Sequence, residues 1–138
     1  MGLVRFGVSL EKDLLGQFDK YCSERAYPNR SEAIRDLIRD ALVKGEWGKT
    51  GAAVTGVITL VYDHHKRELV DNLISIQHDC HGMILASQHV HLNHDNCLEV
   101  IIVNGKPDLI QGLASNLRSA KGVKHGELVM TTTGKGIV

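Results

Sequence analysis

The sequence predicts an α+β protein of two domains: a ribbon-helix-helix over residues 1–50 and a βαββαβ ferredoxin-like (ACT-type) domain over residues 51–138. Three observations carry this. Residues 3–10 alternate with a period of two and are followed by two amphipathic helical segments. Gly45 to Gly51 then forms a polar, glycine-rich break. Beyond it, apolar β-branched runs and helical periodicities follow one another in the order βαββαβ.

In the first strand Val4, Phe6, Val8 and Leu10 face one way, and Leu3, Arg5, Gly7 and Ser9 the other. From Glu11 to about Arg25, Leu14, Leu15, Phe18, Tyr21 and Cys22 recur at helical spacing. Ala26 to Arg30 reads as a turn. Asn29 is a good N-cap with Glu32 three residues on, and Ser31 competes for the role. The second helix runs to about Lys44 on Ala33, Ile34, Leu37, Ile38, Ala41 and Leu42. About 45 such residues bury too little surface to stand alone, and the strand would leave both edges unpaired. Pairing with the same strand of a second copy solves both problems. The resulting two-stranded ribbon fits a DNA major groove.

The second half predicts strands over 53–62, 83–92, 97–103 and 123–132 and helices over 64–78 and 107–121. Formal net charge is zero, and residues 1–50 carry nine Lys/Arg against eight Asp/Glu. DNA binding must therefore come from placed contacts rather than bulk charge. No run approaches the roughly 20 apolar residues of a membrane helix, and no signal-peptide pattern opens the chain. Three widely spaced cysteines make no disulfide framework. The expectation is a cytoplasmic protein without membrane contact.

The richest chemistry lies at His89-Val90-His91 and Cys97. His89 and His91, two apart on a strand, aim two imidazoles at one face. Leu92 to Asn96 is a plausible turn, and Cys97 begins the return strand. His78 adds a third nitrogen. Five of the eight histidines fall within residues 78–97. Imidazole with thiolate selects a borderline or soft transition metal, not magnesium or calcium. Glu99 shares Cys97's strand face and is the candidate acceptor that orients a ligating histidine.

Asn29-Arg30-Ser31-Glu32-Ala33-Ile34-Arg35-Asp36, Gln77-His78, His89-Val90-His91, Asn96-Cys97-Leu98-Glu99 and Gly122-Val123-Lys124-His125-Gly126 occur in order. On this set the chain resembles the nickel-responsive regulators, the NikR family, over nearly its whole length. The resemblance implies a homotetramer, a dimer of dimers, that represses transcription on double-stranded operator DNA when Ni(II) is bound, one ion per chain. It implies His89, His91 and Cys97 of one chain as ligands, with His78 from a neighbouring chain. Three nitrogens and one sulfur suit planar Ni(II). It also implies that Glu32 and Asp36 belong to a second site for a hard cation such as K+. A solvated acidic face is the competing reading.

Arg5 on the polar strand face is placed to bond a guanine edge, with Ser9 as a weaker reader. Gly7 departs from the polar residue usual in the family. The amides of Asn29, Arg30 and Ser31 form a natural phosphate clamp. His94 is expected to be solvated, and Cys80 and His81 to be helix-end surface residues. His64, His65 and His125 carry no assigned role. A catalytic zinc site would keep an open position and a general base; neither stands out, so no enzyme is expected. A sensor of copper, cobalt or zinc and a small-molecule-binding regulator are the alternatives on the same architecture.

Overall fold

The computed structural model describes residues 2–49 and 51–138. The elements run α1 (Lys12–Glu24), α2 (Arg30–Trp47), β1 (Val54–Asp63), α3 (Arg67–Asp79), β2 (Ile84–His91), β3 (Asn96–Gly105), α4 (Pro107–Arg118) and β4 (Val123–Met130). They divide into two compact units, Met1–Asp40 and Ala41–Val138.

In the first unit α1 and α2 are joined by a tight turn. The Ala26 amide donates to the Ser23 carbonyl at 3.1 Å and the Tyr27 amide to the Cys22 carbonyl at 3.0 Å. These two bonds close the end of α1 and require a left-handed residue, which is Ala26 at φ 57°. The Asn29 side chain caps α2 by accepting the Glu32 amide at 2.9 Å. Glu32 does not reciprocate; its carboxylate pairs with Arg35. Residues 3–10, expected as a strand, take part in no strand pairing in the single chain. A strand needs a hydrogen-bonded neighbour, and the expected neighbour is the same segment of another copy. Leu3, Val4 and Phe6 are left 91%, 88% and 70% exposed.

The second unit is a four-stranded antiparallel sheet of order β2-β3-β1-β4. Burial alternates strictly along β1 and over most of β3. Ile58, Leu60, Tyr62, Cys97, Ile101 and Val103 form the inner face. Leu69 and Leu73 of α3 and Ile110, Leu113 and Leu117 of α4 complete the core. Among the described residues no helix of the second unit covers the opposite face, where Val90, Ile102 and Val129 are exposed.

Several boundaries differ from expectation, among them the end of α4 at Arg118 rather than residue 121, and two differ for local physical reasons. Gly45 and Glu46 were expected to lie in a polar break, yet α2 continues through them to Trp47. The Trp47 ring is 6% exposed, and its indole N–H donates to the Thr131 carbonyl at 2.8 Å. Burying the ring extends the helix. Conversely, α3 begins at Arg67 rather than His64. The Asp63 side chain accepts the His65 amide at 2.9 Å, an Asx turn that keeps residues 64–66 out of the helix. No helix among the described residues is long and apolar enough to cross a membrane.

Candidate metal centre

The β2–β3 ladder sets the site. His89 lies directly opposite Glu99, and His91 directly opposite Cys97. Directly opposed residues of an antiparallel pair project to the same face. Both histidines therefore share the inner face with Cys97 and Glu99. Strand β2 is an edge strand, so the two imidazoles stand exposed while Cys97 and Glu99 are 1% and 2% exposed.

Glu99 is the best-held polar group of the centre. The Tyr62 hydroxyl donates to its Oε1 at 2.7 Å, and the Gln77 amide donates to its Oε2 at 2.9 Å. A buried carboxylate needs such donors to replace its hydration. His89 Nε2 lies 3.5 Å from Oε2, and its Nδ1 lies 3.4 Å from the Tyr62 oxygen. Burial first, and the Glu99 hydrogen bond second, push the Tyr62 phenol well up. The Cys97 thiol is also raised. Burial is the main cause; Glu99 and Asp63 add to it, and a Tyr62 hydrogen bond opposes it.

His78 occupies the last turn of α3, exposed, with its carbonyl facing His81 Nδ1 at 3.1 Å. Among the described residues, the ligand atoms of His78, His89, His91 and Cys97 do not converge within 4.8 Å in one chain. The Cys97 thiol is turned into the core, and the His91 ring stacks on His64 with centroids 4.6 Å apart. The donor chemistry fits a borderline metal; the exposed His78 ring stacks on His81 with centroids 6.0 Å apart.

The nucleic-acid residues lie in the first unit. Arg5 and Ser9 are exposed on the unpaired segment. Arg30 is tied to Asp19 by two bonds of 2.8 and 2.9 Å, which hold the Asp19 carboxyl below its usual range. Its side chain is thereby occupied, while the helix start it shares with Ser31 remains exposed. Asp36 accepts the Tyr27 hydroxyl and lies 3.9 Å from Arg39. Glu32 and Asp36 thus both have partners inside the first unit.

Sequence reasoning assigned no role to Tyr62 or Gln77. Their inward placement follows from the alternation of β1 and the register of α3, but their convergence on Glu99 needed the three-dimensional fold. It also left His64 and His65 without a role; His94, expected in solvent, is 89% exposed. In the fold His65, His94 and Asp95 bring ligand atoms within 4.8 Å of one another.

Comparison with known proteins gives the family of each half of the chain. Residues 55–131 match the family described as the NikR C-terminal nickel-binding domain. Residues 4–45 match the ribbon-helix-helix proteins of the copG family. A protein of Nitratidesulfovibrio vulgaris described as a nickel-responsive regulator is 54% identical over 134 residues, 97% of this chain and 96% of that one. A Pyrococcus furiosus protein of the same description is 53% identical over the full length of both. A solved structure of an uncharacterised Thermotoga maritima protein shares the fold at TM-score 0.52. It has 15% identity, covering 56% of this chain and 96% of that one.

Proposed function

The chain belongs to the family of nickel-responsive regulators, and from that premise we propose that it is a cytoplasmic, nickel-dependent transcriptional repressor. Residues 1–50 would bind double-stranded operator DNA and residues 51–138 would bind metal and assemble a homotetramer. The ligands would be His89, His91 and Cys97 of one chain with His78 of a neighbour. The observation that carries this reading is the register that sets His89 against Glu99 and His91 against Cys97.

When bound, Ni(II) supplies strong bonds to nitrogen and thiolate donors at once. The rest is done by the chain. Tyr62 and Gln77 hold Glu99, and Glu99, 3.5 Å from His89, would orient that ring when it ligates. His78, at a helix end, would tie α3 of one subunit to the β2–β3 hairpin of another. That tie would order the surface on which the DNA-binding arms are set. The exposed apolar residues of the N-terminal segment and the uncovered sheet face support assembly, because water-exposed aliphatic faces favour a partner surface. On the DNA side Arg5 and Ser9 would read bases, and the amides of Asn29, Arg30 and Ser31 would hold phosphate. Glu32 and Asp36 would take a hard cation such as K+ only by exchanging their present partners.

Coupling between the two ligands must be reciprocal. Nickel affinity measured with and without operator DNA tests it. Tighter nickel binding in the presence of operator is expected; equal affinities would defeat the switch.

A further inference from the structure

The last turn of α2 contains a glycine that nothing around it requires. Gly45 is exposed, its φ is not positive, and a Cβ added to it would meet nothing within 4 Å. Glycine within a helix is less favourable than alanine, so this turn is intrinsically weak. It closes through three-residue bonds of poorer geometry. The Gly48 amide donates to the Gly45 carbonyl and the Lys49 amide to the Glu46 carbonyl, both at 3.2 Å.

What holds the turn is docking. Val43 and Trp47, four apart and so on one helix face, pack on the core of the second unit. The Trp47 ring enters a socket that another glycine makes. A Cβ at Gly56 of β1 would lie 3.2 Å from the ring's Cη2, 3.1 Å from Leu128 Cδ1 and 3.2 Å from the Val129 carbonyl oxygen, all inside ordinary contact distance. The rim is the chain beyond β4. There the Thr131 carbonyl accepts the indole N–H at 2.8 Å, and the Thr132 hydroxyl donates to Glu46 at 3.3 Å. Residues 41–47 thus belong to the second unit, although the helix that contains them begins in the first.

We infer that Trp47 is a detachable pin. Seated in the Gly56 socket, it keeps residues 41–47 helical; when it leaves, the turn melts at Gly45 and the N-terminal arm is freed from the second unit. Release exposes one indole and the Val43 side chain and leaves the Thr131 carbonyl to water. Against this, Gly45 and Gly48 recover more backbone freedom than any other residue type would. The glycine at 45 therefore favours release, and the glycine at 56 favours seating. The consequence for DNA rests on the reading of residues 1–50 as the DNA-binding part. A seated pin limits the freedom of the arm before DNA is met, so less is lost on binding. The apparent affinity then falls in proportion to the seated fraction.

The test is backbone hydrogen exchange of the intact protein, read by mass spectrometry over residues 41–49, where it reports local opening. Gly45→Ala should slow exchange there by up to about fivefold. Gly56→Ala, which crowds the socket without touching the helix, should speed it by at least about fivefold while α3 is unchanged. Gly112→Ala, which fills open space on α4, should leave residues 41–49 as they were. Exchange that ignores Gly56→Ala, that moves the same way in both variants, or that rises equally in α3 would overturn the pin. The consequence is read with a DNA duplex selected from a random-sequence pool by nickel-loaded wild type. Gly56→Ala should bind this duplex more weakly with nickel affinity unchanged; equal binding despite faster exchange would overturn the pin's hold on the arm. A pool that yields no duplex would count against the DNA-binding reading instead, and the exchange rates would still decide the pin.

Discussion

His89 and Glu99 face each other across the β2–β3 ladder, with His89 Nε2 3.5 Å from a carboxylate that is almost wholly buried. Tyr62 anchors the carboxylate at Oε1, and Gln77 anchors it at Oε2, the oxygen that faces His89. A carboxylate anchored in the core thus lies beside an edge-strand imidazole.

Glu99→Ala removes that anchor and leaves the Tyr62 and Gln77 donors without their acceptor. Orphaned buried donors cost about 1–3 kcal/mol, and loss of a carboxylate that orients a ligand weakens metal binding about 10–100-fold. Chemical denaturation and nickel titration read the two effects separately. A variant with unchanged nickel affinity would show that Glu99 is structural only.

Cys97→Ala should abolish the thiolate absorption and nickel-stimulated operator binding while the protein stays folded. The lost sulfur removes one small group from the core, at a cost of about 1 kcal/mol. Nickel-stimulated binding that persisted in this variant would remove the thiolate from the switch.

Nickel affinity should rise with pH. The Cys97 thiol sits above its ordinary value of 9.0, chiefly through burial, so near neutrality it is protonated and must lose that proton on metal binding. Affinity should climb about tenfold per pH unit while the thiol remains protonated. In the metal-free protein the same shift acts on stability. The unfolded chain ionises its thiol first, so stability held below pH 9 is lost as pH rises from there through the higher folded value. Thermal melts of wild type and Cys97→Ala should diverge in slope above pH 9; parallel slopes would place the ionisation elsewhere.

Trp47→Ala should destabilise the second unit by about 3–5 kcal/mol, the usual cost of deleting a large buried aromatic side chain. The Thr131 carbonyl loses its indole donor in the same step. Trp47→Phe keeps most of the ring contact and should cost less. Urea denaturation distinguishes the two variants, and equal midpoints would show that the hydrogen bond dominates.

Arg5→Ala should relax operator preference by about 1–3 kcal/mol, the worth of one bidentate base contact. Nickel affinity should be unchanged. Competition between operator and unrelated DNA measures this; a uniform loss on both would assign Arg5 to phosphate instead.

The sequence made the βαββαβ order legible because the second half alternates apolar and polar residues with little interruption. The cap at Asn29 was legible for the same local reason. Residues 3–10 were legible only as half of an object, since a ribbon is a property of two chains. Trp47 was overlooked because glycine and charge around it looked like a linker, and only burial beside Thr131 extends the helix. The pairing of His89 with His91 on one face, and of Cys97 with Glu99, followed from strand periodicity; the register that brings the two pairs to a common face came from the ladder. The neighbours that hold Glu99 did not, since Tyr62 and Gln77 come from other elements and meet it only in three dimensions. The His65, His94 and Asp95 cluster was hidden for a like reason: it joins two loops about thirty residues apart.

The single tryptophan of the chain therefore doubles as a built-in optical probe. With its indole enclosed among residues of Ala41–Val138, intrinsic emission reports the melting of that part alone, whereas far-ultraviolet dichroism sees the helices of both. Overlaying the two signals on one denaturation curve, without any label, would reveal whether the arms and the core come apart together or in turn.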